Sequence, residues 1–450
     1  MCLPGVVLRL GHSTNLAPWY APDLHPYLMA LASGVAVLGA SFLLLWACDA
    51  AQADISQALA IAVVALIAVL PEYAVDMYFT WQAGKFPDSD NAQLAIANMT
   101  GANRLLIGVA WGLIAVVQAV RFKRDVKLEP QRRTELLFLG MATAYAFVIP
   151  IKGSLAWYDG VVLLSIYVWY IILVGKRPAS MGEAEGPAEL LVKLPTHKRR
   201  FAVVTLFLAA AGVILANAEP FCESLKSSGA AMGINRFLLV QWLAPVASEA
   251  PEFTVALVFA WRGMAGAALG SLLSAKLNQW TLLVGMIPGV YALAHGSLST
   301  PIPMGSVQMH EILLTAAQSL LAVVLLASMR LTLSGAILLF SLFVGQLIAP
   351  AVLSIHPAWS MGIKPEMIHV LFSVMYIVSA ATIILQAPSR LLRLWKGTQI
   401  DDLCACDTEP RPARLWIFFD PENVPVKPRG PQCNQCPLRH AALQAAGERL

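Results

Sequence analysis

VLPEYAVD, residues 69–76, sets a proline, a glutamate and an aspartate inside an apolar run, with ALAIAVVALIA before it and MYFTW after it. A charged group in hydrocarbon costs about 3 kcal/mol or more, so acids at that depth face a cavity, a partner or an ion. The rest of the chain supports that depth. Hydrophobic residues make up 58% of its 450 residues and charged residues 13%, with a mean hydropathy of +0.66, the composition of an integral membrane protein. Predominantly apolar stretches of about 20 residues recur at roughly 27–48, 55–83, 92–120, 134–151, 155–174, 201–219, 233–261, 265–293, 309–329, 332–355 and 366–387. The pattern predicts an all-α bundle of about eleven transmembrane helices.

Lysine and arginine collect in RFKRDVKLEPQRR (121–133), in the loop at 176–200 and in SRLLRLWK (389–396). Cytoplasmic loops carry such excess, which predicts a multi-pass protein of the cell membrane with its N-terminus outside and its C-terminus in the cytoplasm. The N-terminal 26 residues show no basic segment followed by a long apolar run and a small-residue cleavage site, and are expected to be an extracytoplasmic segment rather than a signal peptide. The net charge of +4 lies at membrane edges and does not suggest nucleic-acid binding. No metalloprotease motif or nucleophile-and-base constellation is present, which argues against an enzyme.

The opening stretch is repeated. PEYAVDMYFTW (71–81) returns as PEFTVALVFAW (251–261), 180 positions on, and NMTGANRLLIGVAWG (98–112) corresponds to SLLSAKLNQWTLLVG (271–285). The unit occupies spans two and three, then seven and eight. A separation of five spans inverts the second copy. Inverted repeats with interrupted helices meet near the midplane in secondary transporters, and the substrate site lies between them. Pro71 and Pro251 each remove a backbone donor, which frees a carbonyl, and Glu72 and Glu252 stand beside them. One such pair reads equally well as a kink with a neutral or hydrogen-bonded carboxyl. Two inverted copies favour a shared cation site, with Asn98, Asn103 and Ser271 one helix away; calcium takes six to eight such oxygens.

On these residues the sequence resembles the sodium/calcium exchanger family of cation antiporters. LPEYA and APEFT resemble its Pro-Glu segments, and TGANRLL the Gly-Ser-Asn-like segment that follows. The resemblance implies two inverted-topology repeats, Glu72 and Glu252 as central cation ligands, and Asn103 as a polar neighbour. Members that use sodium usually carry hydroxyls three and four positions before each glutamate; here Ala68 and Val69 stand in one copy, Ser248 and Glu249 in the other, and only Ser248 keeps the hydroxyl. Lys276 replaces an acid or amide. Its ammonium can take the space of a bound cation, repel divalent ions or exchange protons, or it can form a structural salt bridge with Asp76. Asp76, four residues after Glu72, and Glu249, three before Glu252, complete a group of four acids and one lysine that would adjust charge and coupling; a cavity-mouth position in water is the alternative for either acid.

The expected organisation is a segment 1–26, a first repeat 27–174, a cytoplasmic linker 175–200, a second repeat 201–355, an extra helix 366–387 and a cytoplasmic tail 388–450. In the tail, Cys404, Cys406, Cys433 and Cys436 have the spacing of a zinc knuckle, against which stands a disordered Pro-rich tail with incidental cysteines. Cys2, Cys48 and Cys222 read as unpaired. His310 and Glu311, at the start of the ninth span, could contact a permeation path, but their place near the outer membrane edge favours an interfacial role. The expected function is secondary antiport of calcium against sodium or protons, without a required cofactor, with inorganic cations and the bilayer as partners and the oligomeric state open. Monovalent cation/proton antiport with Lys276 in place of an ion, and a cation sensor that does not cycle, are the alternatives.

Overall fold

The computed structural model describes residues 25–51, 53–54, 69–174, 186–233, 236–355 and 365–388, together with Cys2 and Leu394. Eleven long helical stretches run through them, besides a short helix Pro187–Val192: α1 Pro26–Ala51, α2 Leu70–Lys85, α3 Asn91–Phe122, α4 Pro130–Lys152, α5 Trp157–Val174, α6 Thr196–Met232, α7 Arg236–Trp261, α8 at 265–295, α9 Ser306–Leu326, α10 Leu333–Ile355 and α11 Pro365–Gln386. Among the described residues nine are long and apolar enough to cross a membrane. The two others are α2, described over 16 residues, and α8, whose middle carries Lys276, Asn278 and Gln279. Both carry repeat motifs. Outward-facing positions are apolar, Val168, Ile172, Phe201, Leu208 and Leu385 among them, as lipid contact requires.

α6 departs most from expectation. It continues for 37 residues to Met232, about 55 Å at 1.5 Å per residue, although its apolar run ends near 219. Packing extends it: Phe221, Cys222 and Leu225 join Val75, Phe79 and Leu94 in one buried cluster, and Tyr78 donates a hydrogen bond to Glu223 Oε1 at 2.8 Å.

The repeat is built into the backbone. α3 and α8 each loosen into a π-helical turn, at Leu106–Trp111 and Gln279–Leu283, and these turns begin at aligned positions, 106 and 279. A π turn inside an α-helix is rare and frequent at functional sites. The loops obey the same symmetry. Val126 and Lys127, between α3 and α4, pair antiparallel with Leu331 and Arg330, between α9 and α10, while Ile302, between α8 and α9, bridges Leu155, between α4 and α5. Each bridge joins a loop of one repeat to the non-equivalent loop of the other, and the repeat symmetry exchanges the two bridges, so the chain is an all-α membrane protein of two inverted repeats.

The repeats also exchange helices at the centre: α2 packs on the second half of α8, and α7 on α3. Gly101 makes the latter approach possible, since a Cβ there would lie 1.8 Å from the Gln241 carbonyl oxygen. Small residues let helix backbones meet closely in lipid.

Candidate ion-binding site

α2 opens at Leu70, with Val69 as N-cap and Pro71 in the first turn, where its missing N–H costs least. Glu72 therefore sits among the first amides of a helix, where the backbone dipole favours negative charge. α7 solves the same motif differently. It runs unbroken through Pro245 and Pro251, each of which denies a donor to the carbonyl four residues earlier. Because the helix continues, Glu249 and Glu252 share a face, as their spacing requires.

Glu72 and Glu249 are both buried, and their carboxyl groups act electrostatically on each other. Glu252, partly buried, and Asp76 act electrostatically on the same pair. The central couple is thus Glu72 with Glu249, and the motif glutamate Glu252 stands beside it. Gln279, at the start of the α8 π turn, donates through Nε2 to Glu249 Oε1. Both Glu72 oxygens, Glu249 Oε2, Glu252 Oε2 and Gln279 Oε1 are buried without a hydrogen-bond partner. Buried polar atoms are nearly always paired, and two facing carboxyls in an apolar bundle demand a cation or a proton between them.

Lys276 is wholly buried. Its ammonium donates to Asn103 Oδ1 at 2.7 Å and lies 4.4 Å from the centroid of the Trp280 ring, with Glu249 and Glu72 as the acids that act on its charge. Asp76 instead accepts a hydrogen bond from Asn98 Nδ2 at 2.9 Å. The amide of Asn103 is tied by Nδ2 to the Met99 carbonyl, so its side chain is spent on protein contacts while Lys276 stays in place.

Ser248 is buried and bonds back to the Ala244 and Pro245 carbonyls. Ser271 lies on the exposed side of α8 and is not brought to the acids; one helical face cannot present both it and Lys276 inward. Among the described residues no group of three His, Cys, Asp or Glu is placed to hold a metal ion by itself. The four tail cysteines lie outside the described residues. Cys2 and Cys222 are free thiols, and Cys48 is buried.

Glu311 corrects the sequence reading. It is not interfacial: α9 buries it against α3, where it forms an ion pair with Arg104, both side chains 1% exposed. Arg104 also lies 5.1 Å from the Trp242 ring centroid, and His369 Nε2 of α11 lies 3.4 Å from Glu311 Oε1. Arg104 follows Asn103 directly, inside TGANRLL. An arginine in an apolar span was the available signal for it, and Gln279 carried a similar one.

The family described as sodium/calcium exchanger protein matches residues 25–176 and 202–352. An uncharacterized membrane protein of Methanocaldococcus jannaschii is 30% identical over 216 residues, 48% of this chain; the match spans 64% of that relative's length. A crystal structure of an H+/Ca2+ exchanger is 39% identical, superposes with a TM-score of 0.79 and covers 88% of this chain and 96% of its own. A sodium-calcium exchanger structure is 20% identical with a TM-score of 0.47, over 72% of this chain and 96% of its own.

Proposed function

Because the chain belongs to the sodium/calcium exchanger protein family, we propose that it is a secondary cation antiporter that moves calcium against protons through the acids between its repeats. The observation that carries this reading is the buried Glu72–Glu249 couple, one carboxyl from each repeat, with unpartnered oxygens and Glu252 alongside. Such a couple takes up either a divalent cation or protons, and alternation between the two is exchange. Protons are favoured over sodium as counter-ion for two reasons. Only Ser248 supplies a hydroxyl before a motif glutamate, and the likeness to the H+/Ca2+ exchanger extends over most of both chains.

The roles follow from position. Glu72, Glu249 and Glu252 receive the ion; carbonyls left free by the α7 prolines and water complete its shell. Gln279 orients Glu249, and the Lys276 amine, bonded to Asn103, stands beside the couple. One observation favours a second reading: the Lys276 ammonium already occupies Asn103, and a centre so filled suits monovalent cation/proton exchange. Calcium uptake into vesicles containing the full chain, under an imposed pH gradient and separately a sodium gradient, decides between them. Uptake driven by the pH gradient and abolished in Glu72→Gln and Glu249→Gln is the expected result. Absence of calcium uptake under both gradients, with sodium or potassium flux in its place, would move the assignment to monovalent exchange; no flux of any cation would leave a sensor.

A further inference from the structure

Glu72, Asp76 and Thr80 succeed one another along α2 at intervals of four residues, so they form a column on one face with steps of about 6 Å. Asp76 and Thr80 are wholly buried. Asp76 accepts from Asn98 through Oδ1, which leaves Asp76 Oδ2, Asn98 Oδ1 and the Thr80 hydroxyl without hydrogen-bond partners, as are both Glu72 oxygens. Four neighbouring buried groups with unpartnered oxygens are too many for a packed interior. They form a polar column that runs from the central couple toward the Lys85 end of α2. The second repeat has no such column: the alignment that pairs Glu72 with Glu252 pairs Asp76 with Ala256 and Thr80 with Ala260, and both alanines are buried. Two-fold related approaches to the same centre are therefore chemically unlike.

We propose that Asp76, held by Asn98 and flanked by Thr80, is a cation way-station through which ions reach Glu72 from the membrane face at the Lys85 end of α2, and that the opposite face has no counterpart. The inference rests on the antiporter reading above. Its ligand is a cation that one carboxylate attracts, and the transported metal ion and the hydronium ion both meet that description. The three protein oxygens fall short of the six to eight of a lasting calcium site, as suits a point of passage. The groups that face Asp76 are Glu72 and Tyr73 on α2, Asn98 on α3 and Cys222 on α6. Lys226 lies beyond Cys222 and is held by Glu223 and Asn91, and His295 of α8 stacks on Tyr291 and reaches the Gly84 carbonyl.

The test uses the full chain in vesicles sorted by orientation, with half-saturating calcium and proton concentrations measured separately at each face. In Asp76→Asn the concentration needed at the Lys85 face should rise on the order of tenfold, the loss expected for one charged hydrogen-bonding group. The other face should not change, and Asp76→Glu should restore the parent value. A shift in the calcium arm assigns the station to the metal ion, and a shift confined to the proton arm assigns it to hydronium. Thr80→Ala, expected to shift the same face by less, keeps the test open should Asp76→Asn not fold. Equal shifts at both faces, or none, with flux still dependent on Glu72, overturn the way-station alone; no Glu72-dependent flux in the unmodified chain overturns the antiporter reading and the way-station with it.

Discussion

Lys276 and Asn103 occupy equivalent positions in the two repeats and bond to each other, Lys276 Nζ to Asn103 Oδ1 at 2.7 Å. A contact between symmetry mates straddles the axis that relates them, so the Lys276 Nζ lies where the two halves of the bundle meet. It arrives from α8 and Asn103 from α3, each three residues before the π turn of its helix. The identical step in both copies shows why the pair can meet at all. The sequence difference, amide against amine, then turns a symmetric position into a donor and an acceptor.

Replacing the ammonium by an amide should open this position to a free cation. In Lys276→Asn, calcium uptake driven by a sodium gradient should rise at least about fivefold over the parent, the lower end of ordinary coupling between two bound ligands. The measurement is initial uptake under equal sodium gradients. A folded variant with no gain would show that the lysine does not stand in for an ion.

The Arg104–Glu311 pair, 1% exposed on both sides, should behave as a buried ion pair does when halved. Glu311→Ala should destabilise the protein by about 3–5 kcal/mol because it strands a buried guanidinium. Arg104→Met with Glu311→Met, which removes both charges, should cost far less. Thermal unfolding of the three proteins in one detergent makes the comparison. Equal losses in the single and double variants would contradict the account.

Much of this arrangement could be read before the structure. Apolar run lengths set the eleven helices, and the recurrence of Pro-Glu set the repeat, because both are local properties of the chain. Partner choice is not local. Glu249 and Gln279 are thirty residues apart and Lys276 and Asn103 are 173 apart, so which acid faces Glu72 depends on how α7 continues through Pro251 and how the π turn of α8 re-aims the residues that follow it. Glu311 misled for a related reason: it sits near the start of an apolar run, the usual signature of an interface, while its burial is decided by Arg104, 207 positions earlier. The way α6 outruns its apolar stretch was likewise invisible until Phe221 and Cys222 were seen against Phe79 and Leu94.

Outside the membrane-spanning helices, Asp54 ties the end of α1 to the start of α6. Arg199 donates to it from Nε and Nη2, at 2.7 and 2.8 Å, and that hydrogen bonding, helped by Arg200, holds the Asp54 carboxyl below its usual range. A depressed carboxyl stabilises the fold above its ordinary value, about 3.9, and loses that contribution as pH falls through the lowered one. Asp54→Asn should therefore lower the unfolding midpoint at pH 7 by an amount worth about 0.5–1 kcal/mol, the scale of an ion pair in contact with water. Below the lowered value the two proteins should converge. A gap unchanged at low pH would mean that the charge contributes nothing.

The close crossing of α3 and α7 supplies the sharpest steric prediction. A methyl group at position 101 would lie 1.8 Å from the Gln241 carbonyl oxygen and 2.8 Å from its carbon, backbone atoms that cannot swing aside as a side chain would. That carbonyl is the one whose helical donor Pro245 removes, so α7 already departs from regular bonding where it meets α3. Gly101→Ala must push the helices apart, and Glu249 rides on α7 while Asn103 rides on α3, so the displacement is felt at the couple and at the Lys276 contact together. Overpacking of this kind costs about 1–3 kcal/mol, and calcium uptake should fall by more than about tenfold because catalytic geometry fails with displacements of about 1 Å. Gly140→Ala is the control: its Cβ would meet Val323 Cγ1 at 3.6 Å, an ordinary contact, and both stability and uptake should stay near the parent. If the two alanine variants behaved alike, the crossing at Gly101 would not be what sets the distance between the repeats.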